Sequence, residues 1–193
     1  MWQQILPGLR LKLFMTILLG VGYPLAITGI SQVLFPHQAN GSLITSGGKV
    51  VGSELIGQNF SKPEYFQPRP SAAGNDGYDP TASSGSNYGP TSQKLVDRVK
   101  ASIDKVRKDN PDYAGPIPAD MVTASASGLD PDISPDSAAV QTARVAKARG
   151  VSADQVTRVV TQMTEGPDLG LLGEPRVNVL KLNLALDAQY PKK

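Results

Sequence analysis

The 193-residue chain carries no cysteine and a single histidine, His37. That composition excludes disulfide support, thiol chemistry and a histidine- or cysteine-built zinc centre, and it leaves a Ser-His-Asp triad one histidine to use. Of 19 Lys and Arg, two (Arg10 and Lys12) precede the first apolar run, leaving 17 against 17 acids beyond it. A neutral balance of that kind argues against nucleic acid as a partner.

Residues 13–35, LFMTILLGVGYPLAITGISQVLF, run for 23 positions without a charge. A helix of that length is about 34 Å long, against roughly 30 Å of hydrocarbon in a bilayer. Arg10 and Lys12 sit just before it and no acid occurs before Glu54. Positive flanking charge is retained inside, so residues 1–12 are expected in the cytoplasm and 36–193 outside the cytoplasmic membrane. A cleaved signal would show a shorter apolar core and a small-residue cleavage site. The run is longer and Phe35-Pro36-His37-Gln38 suits cleavage poorly, so a retained single-pass anchor is expected. Gly22, Ala26 and Gly29 recur at i, i+4, i+7 and predict a packing face for a membrane partner. Pro24 is expected to kink the span.

Residues 36–40 read as an exit linker. Residues 41–45 and 49–56, joined through Ser46-Gly47-Gly48, read as a β-hairpin. Ser46-x-x-Lys49 and Ser102-x-x-Lys105 share a spacing with penicillin-recognising enzymes, but the Lys-Thr-Gly partner motif is missing from the sequence. A glycine pair is the stronger turn signal. Residues 57–90 hold five prolines and five aromatic rings. A disordered linker would lack the rings, and long ordered loops are usually functional. The expectation is a surface loop pinned by Phe60, Tyr65, Phe66, Tyr78 and Tyr88. It would present Arg69, Ser71, Asn75, Asp76, Ser84, Ser86 and Asn87. The sequence holds no phosphate-binding P-loop.

Thr91 is expected to cap a helix to about Lys108, with Leu95, Val96, Val99, Ile103 and Val106 on one face. An Asp104–Lys108 pair falls on the other. Residues 119–125 read as a short strand. Ser134, Pro135 and Asp136 open a helix that reaches Arg149 and stops at Gly150. Ser152 and Gln155 form a capping box, with Val151 and Val156 as its staple, and Val156, Val159, Val160 and Met163 form a core stripe. Residues 166–175 read as a loop. Leu180, Leu182, Leu184 and Leu186 alternate as in a strand, while Asn178 suits the cap of a terminal helix; the sequence leaves both open. Asp130, Asp132 and Asp136 suit helix entry better than a calcium loop, since the terminal glutamate is missing. The expected class is α/β of the α+β kind: one N-terminal transmembrane helix, then one extracytoplasmic domain with a small sheet and about three helices.

Six segments occur in order: GSELIGQ at 52–58, YFQPRPSA at 65–72, SGSNYGP at 84–90, VTASASGLDPDIS at 122–134, a Gln141/Arg144/Arg149-Gly150 pattern, and GEPRVNVLKLNLALD at 173–187. Together they resemble the C subunit of the bacterial Kdp potassium-transporting P-type ATPase. The resemblance implies an accessory subunit, not a catalyst. Its implied partners are a channel-like potassium-translocating subunit and a P-type catalytic subunit, with ATP and potassium handled through the complex. It also implies a catalytic-chaperone role that raises ATP affinity of the pump subunit, which an external domain would exert indirectly. Arg69, Ser71, Ser84, Ser86 and Asn87 are the expected partner-facing or ion-entrance loop. The alternative from another class is a membrane-anchored external hydrolase or binding module.

Overall fold

In the computed structural model, which describes residues 2–191, the chain forms two compact units that divide between Val51 and Gly52. In the first, α1 (Trp2–Ile17) passes through a π turn at Leu18–Gly22 into α2 (Tyr23–Leu34). Residues 3–34 make one 32-residue helix whose most apolar 18-residue stretch has mean hydropathy 1.9, none of it buried. The helix therefore starts about ten residues earlier than the uncharged run, and Arg10 and Lys12 lie on it rather than before it. The π turn ends two residues before Pro24: the Tyr23 N–H reaches back five residues to the Leu18 carbonyl. Proline has no N–H and its ring crowds the carbonyl four residues back, so a widened turn there absorbs what would otherwise be a break.

Phe35 leaves helical geometry, and the expected linker is a single turn, α3 (Pro36–Ala39). Asn40 closes it by donating to the Pro36 carbonyl at 2.6 Å. Then β1 (Leu43–Ser46) and β2 (Lys49–Ser53) form the expected hairpin. Gly47 and Gly48 both have positive φ, 56° and 78°, which a two-residue turn of matching twist needs.

The second unit is built around a helical pair. Helices α5 (Pro135–Arg149) and α6 (Ala153–Met163) are joined by the short turn at Gly150, and each starts at the expected serine cap. Ser134 accepts from the Ser137 N–H, and Ser152 and Gln155 complete the capping box. Val145, Ala146, Val156, Val159 and Val160 face the core they share with Phe66, Ile133, Val177, Leu182 and Leu186. A small antiparallel sheet, order β3-β5-β4, borders it. Its strands are β3 (Asp132–Ile133), β4 (Thr164–Glu165) and β5 (Arg176–Asn178). Ile133 and Thr164 flank Val177 from its two sides.

Segment 177–186 turns out to be two elements. β5 ends at Asn178, whose side chain accepts from the Lys181 N–H and caps α7 (Val179–Gln189). Val179, Leu180, Leu182, Asn183 and Leu186 are all buried. A helix enclosed on several sides needs no single apolar stripe, which is why the leucine alternation imitated a strand. Counting α4 (Gln93–Asp109), the second unit has four helices among the described residues, one more than expected.

Three local expectations are corrected. The cap of α4 is Ser92, not Thr91, and its side chain makes no capping hydrogen bond. The ion pair on α4 is Lys105–Asp109, at 2.8 Å, one residue on from Asp104–Lys108. Residues 119–125 are not a strand but a 3-10 turn, Ala119–Met121, followed by irregular chain. The Asp120 carboxylate on this turn accepts from the Ser134 N–H at 2.8 Å and from the Ser134 and Ser137 hydroxyls at 3.1 and 2.6 Å. The backbone itself turns there: the Met121 N–H donates to the Pro118 carbonyl at 3.1 Å, and the Val122 and Thr123 N–H groups to the Ala119 carbonyl at 3.1 and 3.0 Å, so these groups are not available to a ladder.

Leu182 is fully buried at the meeting of α7 with α5 and α6. Leu182→Ala should therefore lower stability by about 2–5 kcal/mol, read as a lower melting temperature of the full chain in detergent.

Candidate functional site

Gly22, Ala26 and Gly29 line up on the second half of the apolar helix, all exposed. A Cβ built at Gly29 would meet nothing within 4 Å, and one at Gly22 would meet only the Ile17 carbonyl at 3.7 Å. The helix's own fold thus has room for side chains at both. Small residues with no internal reason to be small are what close helix–helix approach in lipid requires.

The 57–90 loop is ordered by four of its five rings. Phe66 is fully buried in the core. Tyr65 donates to Asp187 at 3.0 Å and packs 5.6 Å from the Phe60 ring. Tyr78 donates to the Arg69 carbonyl at 2.7 Å. Tyr88 is 41% exposed. A second loop, residues 124–131, is laced to the first. The Gly57 N–H donates to the Leu129 carbonyl at 2.8 Å, the Ser84 N–H to Ser127 at 2.9 Å, and the Ser71 hydroxyl to Gly128 at 2.6 Å. Two glycines make this closeness possible. A Cβ at Gly57 would lie 2.5 Å from both the Asp130 carbonyl and the Tyr78 ring; at Gly128, where φ is +68°, it would lie 2.5 Å from the Ser84 carbonyl.

The expected site residues divide within this arrangement. Arg69 pairs with Asp130 at 2.7 Å, and its Nε is buried with no hydrogen-bond partner. The Ser71 hydroxyl also accepts from the Ala73 and Tyr78 N–H groups, and the Ser71 carbonyl accepts from Arg98. These two hold the loop in shape. Ser84 and Asn87 are exposed and Ser86 is half-exposed, grouped on the outer arm, with Asn87 at φ +52°. Asn75 and Asp76 are exposed at the rim of a cleft of about 640 Å³. Arg69, Tyr78, Lys105 and Asp109 also line that cleft, so it carries both signs of charge.

Residues 63–67 are held in a way the sequence reading missed. The segment lies outside every strand among the described residues, yet its backbone groups are paired. Asn183 accepts from the Phe66 N–H at 2.8 Å and donates to the Phe66 carbonyl at 3.0 Å. Gln141 does the same for Gln67, at 2.8 and 3.0 Å. Arg144 donates to the Pro63 and Tyr65 carbonyls, to Gln141 and to Asn110. Arg149 donates to the Glu64 carbonyl, pairs with Asp187 at 2.8 Å and lies 5.2 Å over the Tyr65 ring. Arg144 and Arg149 stand in the Gln141/Arg144/Arg149-Gly150 pattern of the sequence, which assigns neither of them a contact. The available signal was their i,i+3 and i,i+8 spacing from Gln141 on the same helix.

Burial sets the titration of the site. It pushes the Tyr78 hydroxyl far above its ordinary value, so it stays a donor to Arg69. It lowers the Arg144 guanidinium. It raises the Asp132 carboxyl, helped by Asp130 and opposed by Arg176.

The chain matches the family model for the K+-transporting ATPase c chain over residues 5–188. It is 56% identical to the potassium-transporting ATPase KdpC subunit of Myxococcus xanthus, over 98% of this chain and 90% of the relative. With that of Caulobacter vibrioides (strain NA1000 / CB15N) it shares 59%, over 91% and 88%. With that of Rhodopseudomonas palustris (strain BisB5) it shares 54%, over the full length of both.

Two outcomes are expected. Asn183→Leu preserves volume but leaves the Phe66 N–H and carbonyl buried and unpaired, so unfolding should become easier by about 2–4 kcal/mol, measurable by chemical denaturation. For Asp132, a folded pKa above the ordinary 3.8 means the folded state binds the proton more tightly. Its contribution is then present below that value and declines as pH rises through the raised folded pKa. Asp132→Asn should therefore gain melting temperature relative to the parent at pH 7, and the difference should shrink at pH 3.

Proposed function

Because the chain belongs to the KdpC family of potassium-transporting ATPase subunits, we propose that it is a non-catalytic accessory subunit that stabilises the assembled pump. The carrying observation is the 32-residue apolar helix, exposed along its length, whose small residues have no internal reason to be small. One span of that kind anchors a chain and offers a neighbouring membrane helix a close-packing stripe at Gly22, Ala26 and Gly29. The partners of this reading are the channel-like potassium-translocating subunit and the P-type ATPase subunit that hydrolyses ATP.

Arg10 and Lys12 favour an N-terminus inside and a folded domain outside. From there, any gain in the pump's ATP affinity acts through a conformational equilibrium shared by the subunits, not through contact with nucleotide. The chemistry of the domain's polar groups fits an accessory role. The serines nearest a carboxylate, Ser134 and Ser137, donate to Asp120 as part of a helix start. Asn183, Gln141, Arg144 and Arg149 are engaged in holding a loop. The outer arm with Ser84, Ser86 and Asn87, braced from behind by Arg69 and Ser71, is the surface this reading turns toward a partner or the ion entrance.

The chain has no cysteine, so a single exposed thiol reports its own side of the membrane. Ser84→Cys should react with a membrane-impermeant maleimide in intact spheroplasts, and the full chain should co-purify with two larger pump subunits. Labelling only after permeabilisation would reverse the orientation. A chain purified alone would remove the assembly role.

A further inference from the structure

Residues 166–175 form a small closed loop with a greasy tip. Leu169 is 92% exposed, Leu171 87% and Leu172 62%. The loop is not slack. The Asp168 and Leu172 backbones pair in both directions, at 2.8 and 2.9 Å. Arg176 braces its base through Asp168 at 3.4 Å and Glu165 at 3.2 Å. Leu169 sits at φ +55° and Gly170 at +75°. A bulky residue rarely accepts that backbone, and here it does so to hold an apolar side chain away from the domain.

We propose that this leucine tip is a docking element that inserts into an apolar pocket, rimmed by cationic residues, on another subunit of the potassium-transporting ATPase. This deepens the assembly role proposed above and rests on it. Charge selects the occupant. Residues 164–176 carry Glu165, Asp168 and Glu174 against one base, Arg176, which is shared between Glu165 and Asp168, so the loop keeps an acidic excess. An apolar segment that enters a lipid interface is normally flanked by an excess of Lys and Arg, which anionic headgroups attract; a flank with an acidic excess is repelled by them. The same acids oppose docking against a second copy of this loop. An apolar anchor inside an acidic rim fits a protein partner of opposite charge, and a preformed tip loses little freedom on binding.

The direct test replaces Leu171 in the full chain by photo-reactive benzoylphenylalanine, in cells that make the whole pump. Irradiation should join it to another pump subunit. Adducts with lipid, with a second copy, or with nothing overturn the proposal. In parallel, the triple variant Leu169→Asn, Leu171→Ser, Leu172→Ser should co-purify about tenfold less of the other subunits, at an unchanged melting temperature. Asparagine suits the left-handed backbone at 169. If the unaltered chain fails to co-purify with the pump, the assembly role itself falls. If the unaltered and triple-variant chains co-purify equally, only the tip proposal falls.

Discussion

A buried peptide segment must have its N–H and carbonyl groups paired, and in this domain side chains do the pairing. Of residues 63–67, Glu64 and Phe66 are buried and Tyr65 and Gln67 half-buried, and the segment lies outside any ladder among the described residues. Asn183 and Gln141 each offer an amide that reads one residue's N–H and carbonyl together, as a neighbouring strand would. Arg144 and Arg149 take the carbonyls that remain. Because the amides project from α5 and α7, the two helices and the segment between them are fixed as one unit. Phe66 is thereby set into the core, and everything downstream in the long loop starts from a defined position.

From that anchor the loop folds back on residues 124–131 through backbone contacts that leave no space for a Cβ at Gly57 or Gly128. Such contacts are stiff. Arg69 and Asp130 add an ion pair across the same seam. With both side chains mostly buried, the cost of removing the two charges from water offsets much of their attraction, so the pair's part is to fix direction rather than to hold the loops together. The exposed arm at 84–87 and the loop side of the cleft, at Arg69 and Tyr78, are therefore carried on a rigid frame, although neither contains regular secondary structure.

What could be read in the residues followed the locality of the signal. The caps at Ser134 and Ser152, the stop at Gly150 and the Gly47-Gly48 turn are written in adjacent positions, and they fold as expected. The apolar run at 13–35 announced a span, but the helix extends toward the N-terminus through residues whose charges do not oppose helix formation. The reading of 119–125 as a strand failed because the backbone turns on itself at 118–123, with the Asp120 side chain tied to Ser134 and Ser137, 14 and 17 residues away. For 177–186 the pattern had two solutions, and burial on several faces, a tertiary property, decided for a helix after Asn178. The amide clamp joins residues 74 and 117 positions apart. No periodicity or local motif records such a pairing.

The π turn at Leu18–Gly22 has a consequence for the anchor's surroundings. One extra residue in a turn rotates everything beyond it by about 100° relative to a regular helix. A companion helix that follows the groove of Gly22, Ala26 and Gly29 loses that groove on crossing Leu18, where the rod shows it a different side. The two halves of one rod thus present differently directed faces at two depths.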